Sequence, residues 1–428
     1  MSAGATFPVL REHAPEDVVI WRRASPVSAA ELQARVHALA RSLPRARYAI
    51  NLCESRRNFL AAFLAAAQRE QISLLPSSRA PLAVREIQDH YPEHHVLTDD
   101  VVEAAGASAA STPLSITGSG PVAIVFTSGT TGRPSAHEKD WHTLLATAQL
   151  AHQRFLDGAR RFNVIATVPP QHMYGFETTV TLVLLSASAV SDGRPLFPAD
   201  VAAELASTPA PRVLITTPAH LRACVAAGVA FPALELIISA TAALDRELAA
   251  AAERAWSTRV FEIYGCTEAG SMASRRTVQT DQWLTYPDAR VETQPGGATY
   301  HGAHLPQPVP LPDRLELASP RQFRLVGRDA DLVKVAGKRT SLSELTQRLL
   351  ALAGVSDAVV FVPRPDERPA ALVVAPGVAR EEILAALARQ LDPVLVPRPL
   401  ILTDRLPRDA LGKIPRAALL AAIGAVDE

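Results

Sequence analysis

Four stretches of this chain combine residue types at spacings that can do chemistry. In Phe126-Thr127-Ser128-Gly129-Thr130-Thr131-Gly132-Arg133-Pro134-Ser135 two glycines stand three apart among closely spaced hydroxyls. The glycines let the backbone take positive φ and approach a ligand closely, so a row of amide N–H groups and hydroxyls can point at anionic oxygens. That composition suits a polyphosphate. It is not a Walker loop, which has four residues between its glycines and then Lys followed by Ser or Thr; here Arg133 and Pro134 follow Gly132.

The second stretch, Pro169-Pro170-Gln171-His172-Met173-Tyr174-Gly175-Phe176-Glu177, is an aromatic, polar-studded turn suited to walling a pocket for a flat or apolar acid. The third, Phe261-Glu262-Ile263-Tyr264-Gly265-Cys266-Thr267-Glu268, ends a strand in a Gly turn that presents a hydroxyl beside a carboxylate. A carboxylate next to phosphate needs a cation between them, which makes Glu268 a candidate Mg²⁺ ligand. The fourth comprises Gly327, Arg328 and the turn Ala336-Gly337-Lys338-Arg339, and then Leu406-Pro407-Arg408-Asp409-Ala410-Leu411-Gly412-Lys413-Ile414-Pro415-Arg416. Lys413 follows a glycine in a proline-flanked loop, where a long ammonium side chain can swing into a cleft. Taken singly, each stretch has a plainer account: a surface loop, a packed turn with a satisfied histidine, a helix-capping glutamate, a solvated lysine.

The elements that must position them alternate. The phosphate-type loop follows a buried strand over 121–126 and leads into a helix marked by Trp141, Leu144, Leu145, Ala148 and Ala151. Helices are expected over 28–42 and 59–68, and strands at 48–53, 72–75, 96–97, 164–168, 213–216, 236–239 and 260–263. This rhythm predicts an α/β fold with largely parallel sheets. Between 279 and 320 prolines, glycines and short alternating runs predict a small β region. A helix from Ser343 and strands at 358–362 and 371–374 complete the tail. The expected architecture is a large N-terminal domain of layered sheets and helices over 1–327, with a smaller, mobile α+β C-terminal domain over 328–428.

Composition narrows the function. The chain has 428 residues, enough for two or more domains, and its 48% hydrophobic content is that of an ordinary globular enzyme. The charge balance of 43 basic against 43 acidic residues argues against electrostatic binding of nucleic acid or membrane surfaces. Cys53, Cys224 and Cys266 lack metal-ligand spacing and are odd in number, so a reducing compartment is expected. Glu12, Glu16 and Asp17 near the N-terminus do not suit a signal peptide, and the apolar run over 180–190 is too short to span a bilayer. A cytoplasmic location is expected.

The ordered set of motifs resembles the adenylate-forming superfamily of acyl-CoA synthetases, peptide-synthetase adenylation domains and related ligases, over residues 45 to the end. The resemblance implies ATP and Mg²⁺ as cofactors and a two-step reaction: a carboxylate attacks the α-phosphorus of ATP to give an acyl-adenylate and pyrophosphate, then a thiol displaces AMP. It implies that Thr127, Ser128, Gly129, Thr130, Thr131 and Gly132 hold the β and γ phosphates and that Thr267 contacts the α-phosphate. Glu268 would hold Mg²⁺. Ala240, Thr241 and Ala242, with Glu262, Ile263, Tyr264 and Gly265, would flank adenine, and Arg328 would meet the ribose. His172, Met173, Tyr174, Phe176 and Cys266 would line the acid site. Lys413 would bridge the acid and the α-phosphate, and the small domain would then rotate to withdraw it.

The chain departs from the superfamily pattern. Ser135 stands where the lysine after the loop proline is usual, with His137 and Lys139 nearby. No R-T-G-D motif precedes the hinge, and Asp313 in Leu311-Pro312-Asp313-Arg314 takes the place of its aspartate. Ala330 occupies the hinge position. With these features the chain is similar to the compact ligases of aryl-polyene and xanthomonadin-type pigment pathways. That resemblance implies a hydroxybenzoate-type acid, such as 4-hydroxybenzoate, and an acyl carrier protein as thiol acceptor in trans. Coenzyme A as acceptor, and a non-catalytic nucleotide-binding homologue, remain the alternatives.

Overall fold

The computed structural model describes residues 6–10, 12–23, 25–107, 113–117, 120–127, 135–156, 161–294, 297–328, 332–335, 338–364, 367–409 and 412–424. Two compact units emerge from its contacts: residues 1–289 with 301–309, and residues 290–300 with 310–428.

The first unit is built mainly on two large sheets, beside a small pairing of Thr6–Pro8 with Ser115–Thr117. Five strands pair in the order His94–Leu97, Tyr48–Asn51, Ile72–Leu75, Pro121–Thr127 and Ser135–Asp140; the first four are parallel and the last is antiparallel. In the other sheet Val18–Trp21, Ala189–Ser191, Asn163–Ala166, Arg212–Thr216, Leu236–Ser239 and Arg259–Cys266 run parallel as neighbours in that order, and Gly270–Arg275 and Trp283–Thr285 extend it antiparallel. The largely parallel character follows from strands that are apolar on both faces. Val213, Ile215, Leu236 and Ile238 join one core while Leu214, Ile237, Val260 and Ile165 join another, so successive residues of one strand bury in opposite directions.

Arg56–Gln68 is buried along all but its last residue, and Phe59, Leu60, Phe63 and Leu64 form part of the main core. Its alanines keep the helix thin enough to lie inside the unit. Helix starts follow side-chain chemistry. Ser28 and Glu31 form a reciprocal capping box at Ala29–Ser42, and Asp140, Thr217 and Asp245 each accept a first-turn amide hydrogen bond. Such caps contribute about 1 kcal/mol each.

The expected passage from phosphate-type loop directly into a helix is corrected. A strand, Ser135–Asp140, intervenes and pairs antiparallel with Pro121–Thr127, Thr127 facing Ser135. Only then does Asp140 cap the helix Trp141–Phe155. The polar Ser-Ala-His-Glu-Lys-Asp run conceals a strand because its partner supplies the order. The strand expected over 48–53 stops at Asn51, whose side chain turns back to receive the Cys53 amide and donate to Phe59 O. Asp313, expected in a loop, opens the strand Asp313–Ser319.

In the second unit Asp313–Ser319 and Gln322–Arg328 form a hairpin, and Leu332–Val335 pairs with Lys338–Ser341. A three-stranded sheet, Asp357–Phe361, Ala370–Val374 and Leu400–Leu402, carries Leu342–Leu350 and Arg380–Ala388 on one face through Leu345, Leu349, Ile383 and Leu387. Leu406 and Leu419, the latter in the helix Arg416–Gly424, pack with Phe361, Leu372 and Val374 in a separate core. Among the described residues no helix is long and apolar enough to cross a membrane.

Candidate active site

The candidate residues of the first unit gather at the carboxyl ends of its parallel strands. Pro169 to Glu177 follow Asn163–Ala166, Ala240 to Ala242 follow Leu236–Ser239, and Thr267 and Glu268 follow Arg259–Cys266. This is the edge where open α/β sheets form ligand crevices.

Strand Arg259–Cys266 carries a bulge at Tyr264 and Gly265 and returns through a turn into Gly270–Arg275. A Cβ on Gly265 would lie 2.4 Å from Gly270 O, so only glycine allows the two strands to close there. Tyr264 is buried beside Trp283, with ring centroids 5.6 Å apart, while Thr267 and Glu268 remain accessible at the tip. Glu262 is buried. It accepts hydrogen bonds from Leu244 N at 2.7 Å, Arg275 Nε at 2.8 Å and Thr277 Oγ1 at 3.2 Å, and so ties the segment after Ser239 to this strand. Ala240 is buried, Ala242 is exposed, and Thr241 between them has φ of +81°. A β-branched residue in that region is strained, as residues held at functional crevices often are.

Ser135–Asp140 joins this turn to the loop strand. Its alternate residues Ser135, His137 and Lys139 become progressively more buried along the strand. Lys139 is buried, and its Nζ donates to the backbone oxygen of Glu268 at 2.8 Å. His137 Nε2 lies 3.1 Å from Thr127 Oγ1, and its Nδ1 lies 3.7 Å from a Glu268 carboxylate oxygen. The His137 imidazole thus stands between Thr127, which it meets within hydrogen-bond distance, and Glu268 of the opposite sheet. Burial lowers the Lys139 pKa, against the pull of Glu177, Cys266 and Glu268. Burial also lowers that of His137, with Glu268 opposing.

Glu268 is held ionised. Partial burial raises its pKa, but hydrogen bonds from its own amide and the Cys266 thiol, with His137 and Lys139 nearby, bring it below the usual value. A half-exposed anionic oxygen donor fits Mg²⁺, which takes one or two carboxylates together with phosphate oxygens. Among the described residues no group of three or more His, Cys, Asp or Glu could cage a metal. Burial pushes the Cys266 thiol up to about 12, which leaves it protonated at neutral pH.

The aromatic turn is locked from both sides. A Cβ on Gly175 would lie 2.0 Å from Pro169 O. Tyr174 Oη lies 3.0 Å from Ile238 O and 3.2 Å from Thr216 O, at the ends of two parallel strands. His172 and Met173 are buried, and Phe176 packs edge-on against Phe63 at 5.1 Å, inside the core. Glu177, which the acid-site expectation did not include, is buried and accepts from Ser271 N and Ser271 Oγ, the latter at 2.6 Å. Burial raises its pKa against those bonds and Lys139. Glu177, Thr178 and Ser271 form the polar part of a narrow cavity otherwise walled by Phe155, Phe162, Ile238 and Ile263. Ser271 of its polar lining lies far from Glu177 and Thr178 in sequence, so only the fold brings the three together.

Ser128, Gly129, Thr130, Thr131 and Gly132 lie outside the described residues, as do Ala330, Ala336 and Gly337. In the second unit Asp313 and Arg328 are opposite one another in the antiparallel ladder, and Asp313 is buried. Lys413 is exposed, and its backbone is held in a closed turn. Lys413 N donates to Asp409 Oδ1 at 2.9 Å, and Asp409 N donates to Lys413 O at 2.7 Å. Arg408 clamps the turn to Asp357 through Nε at 2.8 Å and Nη2 at 2.6 Å.

Comparison with known proteins covers the same residues. A family model described as AMP-binding enzyme matches residues 29–294, and one described as AMP-binding enzyme C-terminal domain matches 344–413, ending on Lys413. The 4-coumarate–CoA ligase of Halorhodospira halophila is 30% identical over 303 residues, 67% of this chain and 73% of that one. Its namesake in Rhodobacter capsulatus is 30% identical over 237 residues, 54% of this chain and 58% of that one. The solved O-succinylbenzoate Coenzyme A Synthetase of Bacillus subtilis, in complex with AMP, superposes with a TM-score of 0.82 across 96% of this chain and 98% of that one, at 17% identity. That likeness shows a common fold.

Proposed function

The chain belongs to the AMP-binding enzyme family, the adenylate-forming ligases, and from that membership we propose that it activates an aromatic carboxylic acid with ATP and passes the acyl group to a carrier-protein thiol. In the first step a carboxylate oxygen attacks the α-phosphorus and the bond to pyrophosphate breaks. In the second, the thiol sulfur attacks the acyl carbonyl, AMP departs and the thiol proton is released.

The observation that carries this reading is the placement of His137 between Thr127 and Glu268, with Lys139 holding the Glu268 backbone. It fastens the strand entering the phosphate-type loop to the turn that presents Thr267 and Glu268. Thr267 contacts the α-phosphate, and the Glu268 carboxylate would hold Mg²⁺, which would supply charge withdrawal at the phosphate oxygens. Ala240, Thr241, Ala242 and Tyr264 border the adenine, and Asp313 with Arg328 holds the ribose. Lys139 is committed to a backbone carbonyl, so with Ser135 in the usual lysine position the pyrophosphate is oriented by loop amides and hydroxyls.

Lys413 supplies the cation that stabilises charge developing between acid and α-phosphorus. Residues 328–428 act as the lid domain, hinged near Ala330, whose rotation withdraws Lys413 between the two steps. The acid enters beside His172, Met173, Tyr174 and Cys266. An aromatic acid of the hydroxybenzoate type, 4-hydroxybenzoate included, suits this aromatic turn and fits a starter unit for pigment synthesis. The names of the relatives, both 4-coumarate–CoA ligases, favour coenzyme A as a second reading of the acceptor.

ATP–pyrophosphate exchange against a panel of aryl and aliphatic acids tests the reading. Exchange with a hydroxybenzoate is the expected result, and no exchange with any acid would sink it. Offering coenzyme A and a holo acyl carrier protein after adenylation decides the acceptor.

A further inference from the structure

The turn that presents Thr267 and Glu268 is gripped by the last residue of the aromatic turn. Where the chain returns, Gly270 and Ser271 stand opposite Cys266 and Gly265 in the ladder, with Thr267, Glu268 and Ala269 between them. Glu177 reaches both returning residues. Its two carboxylate oxygens lie 3.2 and 3.1 Å from Ser271 N, and Ser271 Oγ donates to Oε2 at 2.6 Å. A Cβ on Gly270 would lie 2.1 Å from Glu177 Oε1 and 3.5 Å from Met173 Cε, and the φ of +74° there favours glycine as well. The Glu177 carboxylate and Met173 thus close directly over the returning strand.

Glu177 is also tied firmly to the acid side. It opens the π-helical segment Glu177–Thr181, which continues the short helix Met173–Phe176. Single π turns of this kind are frequent at functional sites. Thr178 Oγ1 donates to Tyr174 O and Thr179 Oγ1 to Gly175 O, each at 2.6 Å, which fastens the π segment to the residues before it. Packing alone does not call for a carboxylate here, because burying one costs free energy that only hydrogen bonds or a partner charge can offset. Lys139 holds the same turn from the other side, at Glu268 O. The Thr267–Glu268 turn is therefore fixed at its tip by the loop-side sheet and at its return by the aromatic turn.

We propose that Glu177 is a positioning residue: through Gly270 and Ser271 it sets the Thr267–Glu268 turn from the acid side, so that binding of the acid and binding of ATP with Mg²⁺ favour one another. This rests on the adenylation reading above. An acid packed against Met173 and a nucleotide held by Thr267 and Glu268 both stabilise one arrangement of Glu177 over Gly270 and Ser271, and linkage makes the effect reciprocal.

Two titrations of the whole protein test the proposal. Isothermal titration with the Mg²⁺ complex of α,β-methylene-ATP, which cannot transfer its adenylyl group, reads the nucleotide side with no acid present. The affinity falls about fivefold in Ser271→Ala and further in Glu177→Met. Glu177→Gln, which keeps the size and one acceptor oxygen, recovers part of the loss. A loss in Glu177→Met alone supports the proposal and places the grip on the Ser271 amide. Next, 4-hydroxybenzoate, or whichever acid of the panel exchanges fastest, is titrated with and without the analogue. In the parent protein each ligand raises the affinity for the other by about fivefold or more, and in Glu177→Met that factor falls towards one. A residue that merely stiffens the fold would leave the factor intact. Unchanged analogue affinity in both variants, a factor of one in the parent protein, or a factor in the variants equal to the parent's overturns the proposal. If Glu177→Met does not fold, Ser271→Ala, which loses only a hydroxyl, carries both titrations. Absence of exchange with every acid would instead overturn the underlying reading, and the analogue titration would then decide the role of Glu177 by itself.

Discussion

Lys139 Nζ donates to the backbone oxygen of Glu268 at 2.8 Å, across the two sheets of the larger unit. Lys139 leaves the antiparallel edge strand of one sheet, and Glu268 tips a turn of the other. Neither sheet alone would bring the strand that ends at Thr127 next to the turn that carries Glu268. Lys139 is buried, which lowers its pKa, and the nearby carboxylates Glu177 and Glu268 raise it against that effect.

Lys139→Met should therefore reduce both stability and nucleotide handling. Loss of a buried charged donor leaves the Glu268 carbonyl unsatisfied, at about 1–3 kcal/mol. Thermal unfolding should shift down by several degrees, and the ATP KM in pyrophosphate exchange should rise roughly tenfold. An unchanged ATP KM would mean that the contact serves packing alone.

Tyr174→Phe removes the hydroxyl shared between Thr216 O and Ile238 O. The net loss of about 1 kcal/mol of hydrogen bonding should loosen the aromatic turn. The acid KM should rise severalfold while the ATP KM stays constant. Parallel changes in both constants would argue against a role confined to the acid site.

Lys413→Ala should abolish adenylation and spare thioester formation from a supplied acyl-adenylate. Asp409→Ala, which unfastens the Lys413 turn without removing its charge, should give a partial loss of adenylation. Equal loss of both half-reactions in Lys413→Ala would refute the lid-rotation account.

His304 gives a pH dependence. Burial, with repulsion from His142, brings its pKa down from 6.5 to about 4. The folded ring stays neutral where the unfolded one already binds a proton, so stability is intact above pH 6.5 and declines as pH falls from 6.5 towards 4. The decline is on the order of 3 kcal/mol. Denaturant titrations of the parent protein and His304→Gln at pH 7 and pH 5 read the effect, and identical slopes against pH would exclude His304 as its source.

Much of this protein was legible in local pattern. Val213, Leu214 and Ile215, like Leu236, Ile237 and Ile238, announced strands buried on both faces, because a run of apolar β-formers has no solvent side to offer. The Tyr264 to Glu268 turn was equally visible, since Gly265 leaves a steric signature that another residue cannot meet. The pairing of Asp313 with Arg328, fifteen residues apart, was half visible: both were nucleotide candidates, but only strand register set them opposite each other.

Tertiary structure decided what polar residues do. Ser135–Asp140 has no apolar alternation, and its strand exists because Pro121–Thr127 offers an edge. Nothing local in the sequence shows that Glu177 and Arg56 are buried. In the fold Arg56 is buried, donating to Ala166 O at 2.7 Å and Val168 O at 2.8 Å ahead of the aromatic turn, and Glu177 is fixed by Ser271. A sequence displays which residues prefer burial, whereas the satisfaction of a buried charge depends on partners many residues away. That is why the chain alone determined the sheets, the ordered motifs and the adenylate-forming family, while only the fold showed how Thr127, His137, Lys139 and Glu268 come together.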